Sequence, residues 1–189
     1  MPERAGPKGL GSTVKDDLVR AGCALYEERG LDPVSLRDIA DRAGVNQAMI
    51  RHYFEGKEGF EKALLDLGAQ TLLDDVPEDA DFETTFAAAV ASLQKMPWFT
   101  VLRVKNVYLS DAHRKYLNEE YFTELMDRFA RAIDNPSELD LLCVASMMEM
   151  PDVARNVTTD GFPAKFKKNF PEVYAKHVAT LLGRRTTDN

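Results

Sequence analysis

Apolar positions recur at helical spacing along nearly the whole chain. Val14, Leu18, Ala21 and Leu25 repeat until Gly30, and Thr13 followed by Asp16 opens that run with a capping-box pattern, so a first helix is expected over 13–29. Pro33 keeps "LDPVS" extended. Ser35 is placed to cap the next segment, in which Leu36, Ile39, Ala40 and Ala43 form a buried stripe ending at Gly44. After Val45, Asn46 can cap a third helix with Ile50 and Phe54 facing inward, and a fourth begins near Lys57 with the stripe Phe60, Leu64, Leu67 and Thr71. The polar stretch "DDVPEDAD" then separates this block from further helical segments at about 82–96, 98–110, 112–133, 136–150 and 170–184. Pro97, Pro136, Pro151, Pro163 and Pro171 fall at or between these segments, where a missing N–H costs little. No run shows strand alternation, so the expected class is all-α.

One stretch carries more than core packing. In "SLRDIADRAGVNQAMIRHYF", residues 35–54, two short helical patterns are joined by "AGVN", with glycine where a left-handed backbone angle is needed. That is the helix-turn-helix arrangement. With Ile50 and Phe54 inward, Gln47 and Arg51, Ala48 and His52, and Met49 and Tyr53 form three outward i, i+4 stripes. Gln suits bidentate contact to adenine and Arg to guanine in the major groove, while Ala48 lets the helix approach the base edges. A polar helix face is by itself usually just solvated; here the glycine turn, the caps and the inward stripe coincide.

These residues resemble the N-terminal domain of the TetR family of bacterial transcriptional regulators. The likeness runs over residues 14–67 and is clearest in "RGLDPVSLRDIADRAGVNQAMIRHYFEGKEGF", with Arg-Gly ending the first helix, Ser35 opening the second, "DIA" before "AGV", the aromatic "HYF", and Gly56-Lys57-Glu58. The resemblance implies a three-helix DNA-binding domain, a fourth helix linking it to an all-helical C-terminal domain, a homodimer, and a repressor of double-stranded operator DNA controlled by a small molecule. It further implies phosphate contacts at Ser35, Tyr53 and Lys57, and base or backbone contacts along Asn46, Gln47, Ala48 and Met49. Arg51 stands where the family often has Tyr, and Met49 where it often has Thr. Operator sequence therefore cannot be carried over. The expected layout is an arm at 1–12, the helix-turn-helix domain at 13–56, the linker helix with an effector-binding and dimerisation domain at 57–184, and a tail at 185–189.

Composition complicates the nucleic-acid expectation before it supports it. The chain has 189 residues and a formal charge of −7. Residues 1–60, however, carry nine Lys and Arg against ten Asp and Glu, so most of the excess acid lies beyond the reading domain. An almost neutral head must grip phosphates through local arrangement, including the helix starts at Ser35, Asn46 and Gly56. The acidic remainder weakens non-specific binding. A hydrophobic share of 44% with 29% charged residues fits a folded soluble chain. Cys23 and Cys143 lie far apart inside apolar patterns, which suits buried thiols in a reducing compartment. With no signal-peptide pattern and no membrane-length apolar run, a bacterial cytoplasmic location is expected.

The C-terminal half yields less specific expectations. Phe86, Trp98, Phe99, Leu102, Tyr108, Phe122, Met126, Phe129 and Met147 are more aromatic and methionine material than a small bundle requires, and some of it is expected to line an effector pocket. The stripe at 170–182, including Val173, Tyr174, His177, Val178 and Leu181, needs a partner. Together with Leu141 and Met148 of "SELDLLCVASMMEM" it is assigned to a dimer interface, as the resemblance implies. His52, His113 and His177 are far apart without zinc or di-iron spacing, and no phosphate loop or nucleophile elbow occurs. Neither an enzyme nor a cofactor or metal is expected. The rival function is a helical dimeric protein-interaction module whose DNA-binding domain has degenerated, motivated by the missing Tyr and Thr.

Overall fold

The computed structural model describes residues 13–109, 115–133, 136–157 and 170–185. The expected arm at 1–12, His113, Pro163 and most of the tail lie outside them. Described residues form helices α1 (Val14–Arg29), α2 (Leu36–Ala43), α3 (Ala48–Phe54), α4 (Lys57–Asp75), α5 (Phe82–Lys95) and α6 (Pro97–Leu109). A π-helical segment, Asn118–Phe122, leads into α7 (Thr123–Ala132), followed by α8 (Glu138–Val157) and α9 (Phe170–Arg185).

Local chemistry sets the starts. Thr13, Ser35 and Ser137 each form a reciprocal capping box with an aspartate three residues on, Asp16, Asp38 and Asp140. Asp81 accepts from the Thr84 N–H to start α5.

Packing alters two expectations. On α4 the buried apolar side chains are Phe60, Leu64, Leu65, Ala69, Leu72 and Leu73, while Leu67 is exposed and Thr71 only half-buried. The helix is covered first by α1 and α3 and then by α5 and α6, so its contact face follows 64/65, 68/69 and 72/73. Gly68 belongs to this face because it lacks a side chain: a Cβ there would lie 2.2 Å from the Phe99 ring. The second change is at Pro151, expected as a boundary but lying inside α8. Proline removes the donor that would bond the carbonyl four residues back, and that carbonyl, of Met147, accepts instead from the Tyr174 hydroxyl of α9 at 3.0 Å. A tertiary hydrogen bond thus satisfies a group that the sequence leaves open.

The far end of α4 is tied to the C-terminal helices by one arginine. Buried Arg128 of α7 donates to the carbonyls of Leu73 and Val76 and pairs with Glu124 at 2.6 Å. A guanidinium is suited to this task, since unsatisfied carbonyls collect at a helix C-terminus.

Candidate nucleic-acid interface

The turn between α2 and α3 is built by glycine. Gly44 has φ 70° and ψ 26°, its N–H reaches Asp41 O, and the Val45 N–H reaches Ala40 O at 3.0 Å. This Schellman arrangement stops α2 within two residues. Asn46 Oδ1 then accepts from the Ala48 N–H at 2.9 Å, fixing where α3 begins. Ile39 and Ala40 of α2, and Ile50 and Phe54 of α3, are buried and hold the two helices on α1 and α4.

The opposite face of α3 is open. Gln47, Ala48, Arg51, His52 and Tyr53 are exposed, and the His52 and Tyr53 rings meet edge to face with centroids 4.8 Å apart. Met49 departs from the expected outward stripe: it is half-buried and packs on the core, so the helix presents two full outward rows and a third led by Tyr53 alone.

The end of α3 reverses sharply into α4. Glu55 takes a left-handed conformation (φ 63°) and Gly56 has φ 128°. Sequence reasoning overlooked Gly59, although it stands in the "GKEGF" signature. A Cβ at Gly59 would lie 1.9 Å from the backbone oxygen of Phe54, and the Phe54 and Phe60 rings are 5.0 Å apart. Helices α3 and α4 touch through backbone here.

Charge pairing sorts the cations of this domain. Arg42 forms two hydrogen bonds to Glu28 at 2.8 and 2.6 Å, Arg29 pairs with Asp38 at 2.9 Å, and Arg37 lies 3.6 Å from Asp41. Among the described residues no ion pair involves Lys15, Arg51 or Lys57, and all three are exposed. The helix starts differ too. At Ser35 and Asn46 side chains occupy backbone N–H groups, whereas α4 has no side-chain cap at Gly56. Lys57 therefore begins a helix whose first N–H groups remain available to an anion.

Arg29 and the Ser35 cap hold the Asp38 carboxyl well below the usual carboxylate range. A depressed carboxyl stabilises the fold above its unfolded pKa, about 3.9, and the contribution is lost as pH falls through the folded value. The stability gap between the parent and Asp38→Asn should stay constant near neutrality and shrink only below about pH 4. Denaturant titration at several pH values checks this, and a gap that narrows between pH 5 and 7 would contradict it.

The pocket candidates divide into two groups. Phe86 and Phe129 stack with Phe82 and Tyr174, with ring centroids 5.5 to 6.2 Å apart. Met126 and Met147 pack at the edge of the core, and Phe122 is half-buried in the π segment. Trp98, Phe99 and Leu102 lie on α6, where Phe99 covers Gly68 of α4. Of Tyr108 only the helix backbone is described.

The interface candidates also divide, because α9 lies chiefly on α5 of its own chain. Val178 is 1% exposed and Met148 is likewise buried, so both serve the core of the single chain. Tyr174 and Leu141 are half-buried, the former through its bond to Met147. Val173, His177 and Leu181 project outward, as do Leu139 and Leu142 of α8, which the apolar pattern alone did not distinguish from core.

Residues 18–64 match the family model described as bacterial regulatory proteins, tetR family. The transcriptional repressor KstR2 of Mycolicibacterium smegmatis is 33% identical over 51 residues, 27% of this chain and 25% of that protein. The regulator BetI of Proteus mirabilis is 37% identical over 57 residues, 30% of this chain and 28% of that one. The match thus spans about a quarter of each relative's length. Over the whole fold, AmtR of Mycobacterium smegmatis superposes with a TM-score of 0.65 at 22% identity, covering 94% of this chain and 90% of its own. PfmR of Thermus thermophilus, a TetR family regulator, gives 0.65 at 18% identity, with 88% and 96% covered. The all-helical frame is that of TetR-family regulators, and no helix among the described residues is long and apolar enough to cross a membrane.

Proposed function

We propose, for a chain whose N-terminal domain is of the tetR family, that it is a homodimeric transcriptional repressor released from a palindromic operator by a small apolar effector. The observation that carries this reading is the open face of α3. Gln47, Ala48, Arg51 and His52 are held outward by buried Ile50 and Phe54, and among the described residues neither Arg51 nor Lys57, which opens α4, takes part in an ion pair. Selection of bound sequences from a random DNA pool tests it. An enriched palindrome is expected; a pool that stays random favours the interaction module with a degenerate DNA domain.

The two cations do different work in this scheme. Arg51, one turn beyond Gln47, reaches a base edge, while Lys57 meets the phosphate backbone at the uncapped start of α4. Arg51→Ala should cost about 1–3 kcal/mol on the operator and relax preference at one base of each half-site. Lys57→Ala should weaken all sequences alike and lower the salt slope by about one unit per site. Titrating both variants against single-base operator changes at several salt concentrations separates the roles. Uniform losses with equal salt slopes would make Arg51 a phosphate contact.

The aromatic and methionine side chains of α5 to α8 suit an adaptable apolar ligand. Its binding shifts the two heads through α4 and weakens operator affinity about 5- to 150-fold. A compound that raises the melting temperature without changing operator affinity would speak against this release mechanism.

A further inference from the structure

Three helices that belong to different parts of the chain meet at a buried polar cluster. Tyr26 of α1 is fully buried, and its hydroxyl donates to Glu61 Oε1 of α4 at 2.6 Å. Lys105 of α6 places its ammonium 3.5 Å from the same oxygen and 5.1 Å from the centre of the Tyr26 ring. The Lys105 and Glu61 side chains are only 15% and 11% exposed. Burial and the neighbouring carboxylate both push the Tyr26 pKa up, so the phenol stays a donor.

Stability alone is a weak reason for this cluster, since well-packed apolar residues usually hold a buried seam at least as well as an ion pair does. What a polar cluster adds is direction. Apolar contacts tolerate sliding, whereas a buried hydrogen-bonded charge is satisfied in one arrangement and left unpaired in its neighbours. The seam in question joins the head to the C-terminal helices: α1 packs on α2 within the head and on α6 across the seam. Glu61 lies two residues beyond Gly59, where α4 touches the backbone of α3. A rotation of α4 against α6 therefore carries the recognition helix with it.

We propose that Tyr26, Glu61 and Lys105 form a latch that sets the angle of the reading head against the C-terminal domain, with Glu61 as the positioning residue. In a dimer that angle fixes the separation of the two recognition helices, and so the half-site spacing the protein accepts. This rests on the DNA-binding dimer proposed above. Each inserted base pair moves one half-site by about 3.4 Å and turns it by roughly a tenth of a helical repeat, so spacing reports the angle directly.

The experiment uses the full chain and the palindrome it selects, with one or two base pairs added or removed at the centre. The parent should prefer one spacing over its neighbours by about 5- to 150-fold, the ordinary range of coupling between sites. Tyr26→Phe, Glu61→Gln and Lys105→Met should flatten that profile while leaving affinity for the best spacing within a few-fold. Lys105→Arg, which keeps the charge, should restore it. Tyr26→Phe removes a single oxygen and keeps the ring, so it remains informative if the other variants fold poorly. Variants that lose thermal stability but keep the parental spacing profile would overturn the latch and leave the cluster a structural contact. A parent that binds a palindrome without spacing preference overturns it as well. A parent that selects no sequence removes the DNA-binding reading and the latch together.

Discussion

Leu142→Asp and Leu181→Asp, made separately, should each split the proposed dimer into single chains in light scattering and abolish tight binding to a palindromic operator. Leu142 is 62% exposed and Leu181 39% exposed, on α8 and α9, and Leu139 and Val173 of the same two helices are exposed as well. Large apolar side chains left open on adjacent elements mark a contact surface. Across a twofold axis each leucine is buried twice. Burying a fully exposed leucine is worth about 1.5–3 kcal/mol, and only the part still exposed in the single chain is left to bury, so the two copies contribute roughly 1–4 kcal/mol before the added cost of burying a carboxylate. On that scale the dimerisation constant falls by about tenfold to a thousandfold, and further once the carboxylate is desolvated. Because both side chains are exposed in the single chain, its helical signal should persist in either variant. Val178→Asp is no substitute, since that side chain lies in the core and its loss would unfold the protomer. An unchanged dimer mass with unchanged operator affinity would remove this face from consideration.

Gly59→Ala should destabilise the chain and cut operator affinity at least tenfold, the reverse of what an alanine normally does inside a helix. Alanine for glycine within α4 would ordinarily gain about 1 kcal/mol from backbone entropy. Here the added carbon would lie 1.9 Å from the Phe54 carbonyl oxygen. A backbone atom cannot rotate away, so α3 must shift from α4 and the Phe54–Phe60 contact must open. Overpacking of this kind costs typically about 1–3 kcal/mol, a fall of about 2–4 °C in melting temperature per kcal/mol for a chain of this size. Glu58→Ala, at the exposed neighbouring position, should change neither property appreciably. If Gly59→Ala melts at or above the parental temperature and binds the operator normally, the close approach does not position the recognition helix.

Much of the N-terminal three-helix unit is legible in its residues. Thr13, Ser35 and Asn46 cap helices in the expected places, Gly44 makes the left-handed turn, and Ile50 and Phe54 face inward. Met49 was not, because its row lies at the margin of the α3 contact face, where a neighbouring helix decides between solvent and core. The polar latch was invisible for a related reason. Glu61 lies 35 positions from Tyr26 and 44 from Lys105 along the chain, and each alone resembles an ordinary surface residue of an amphipathic helix.

Features that depend on neighbours within one helical turn are legible in the residues alone: the caps, the glycine turn, the all-helical class and the outward face of α3 apart from Met49. These are settled by hydrogen bonds and side-chain rows spanning three or four residues. Tertiary structure alone decided which side of each helix is covered. It divided the stripe of α9 into Val178 against α5 and Val173 and Leu181 outward, and exposed Leu67 while burying Gly68. It also carried α8 through Pro151 by giving the Met147 carbonyl to Tyr174. The physical reason is that an apolar side chain is equally satisfied by any dry neighbour, so its periodicity records that a partner is required without recording which one.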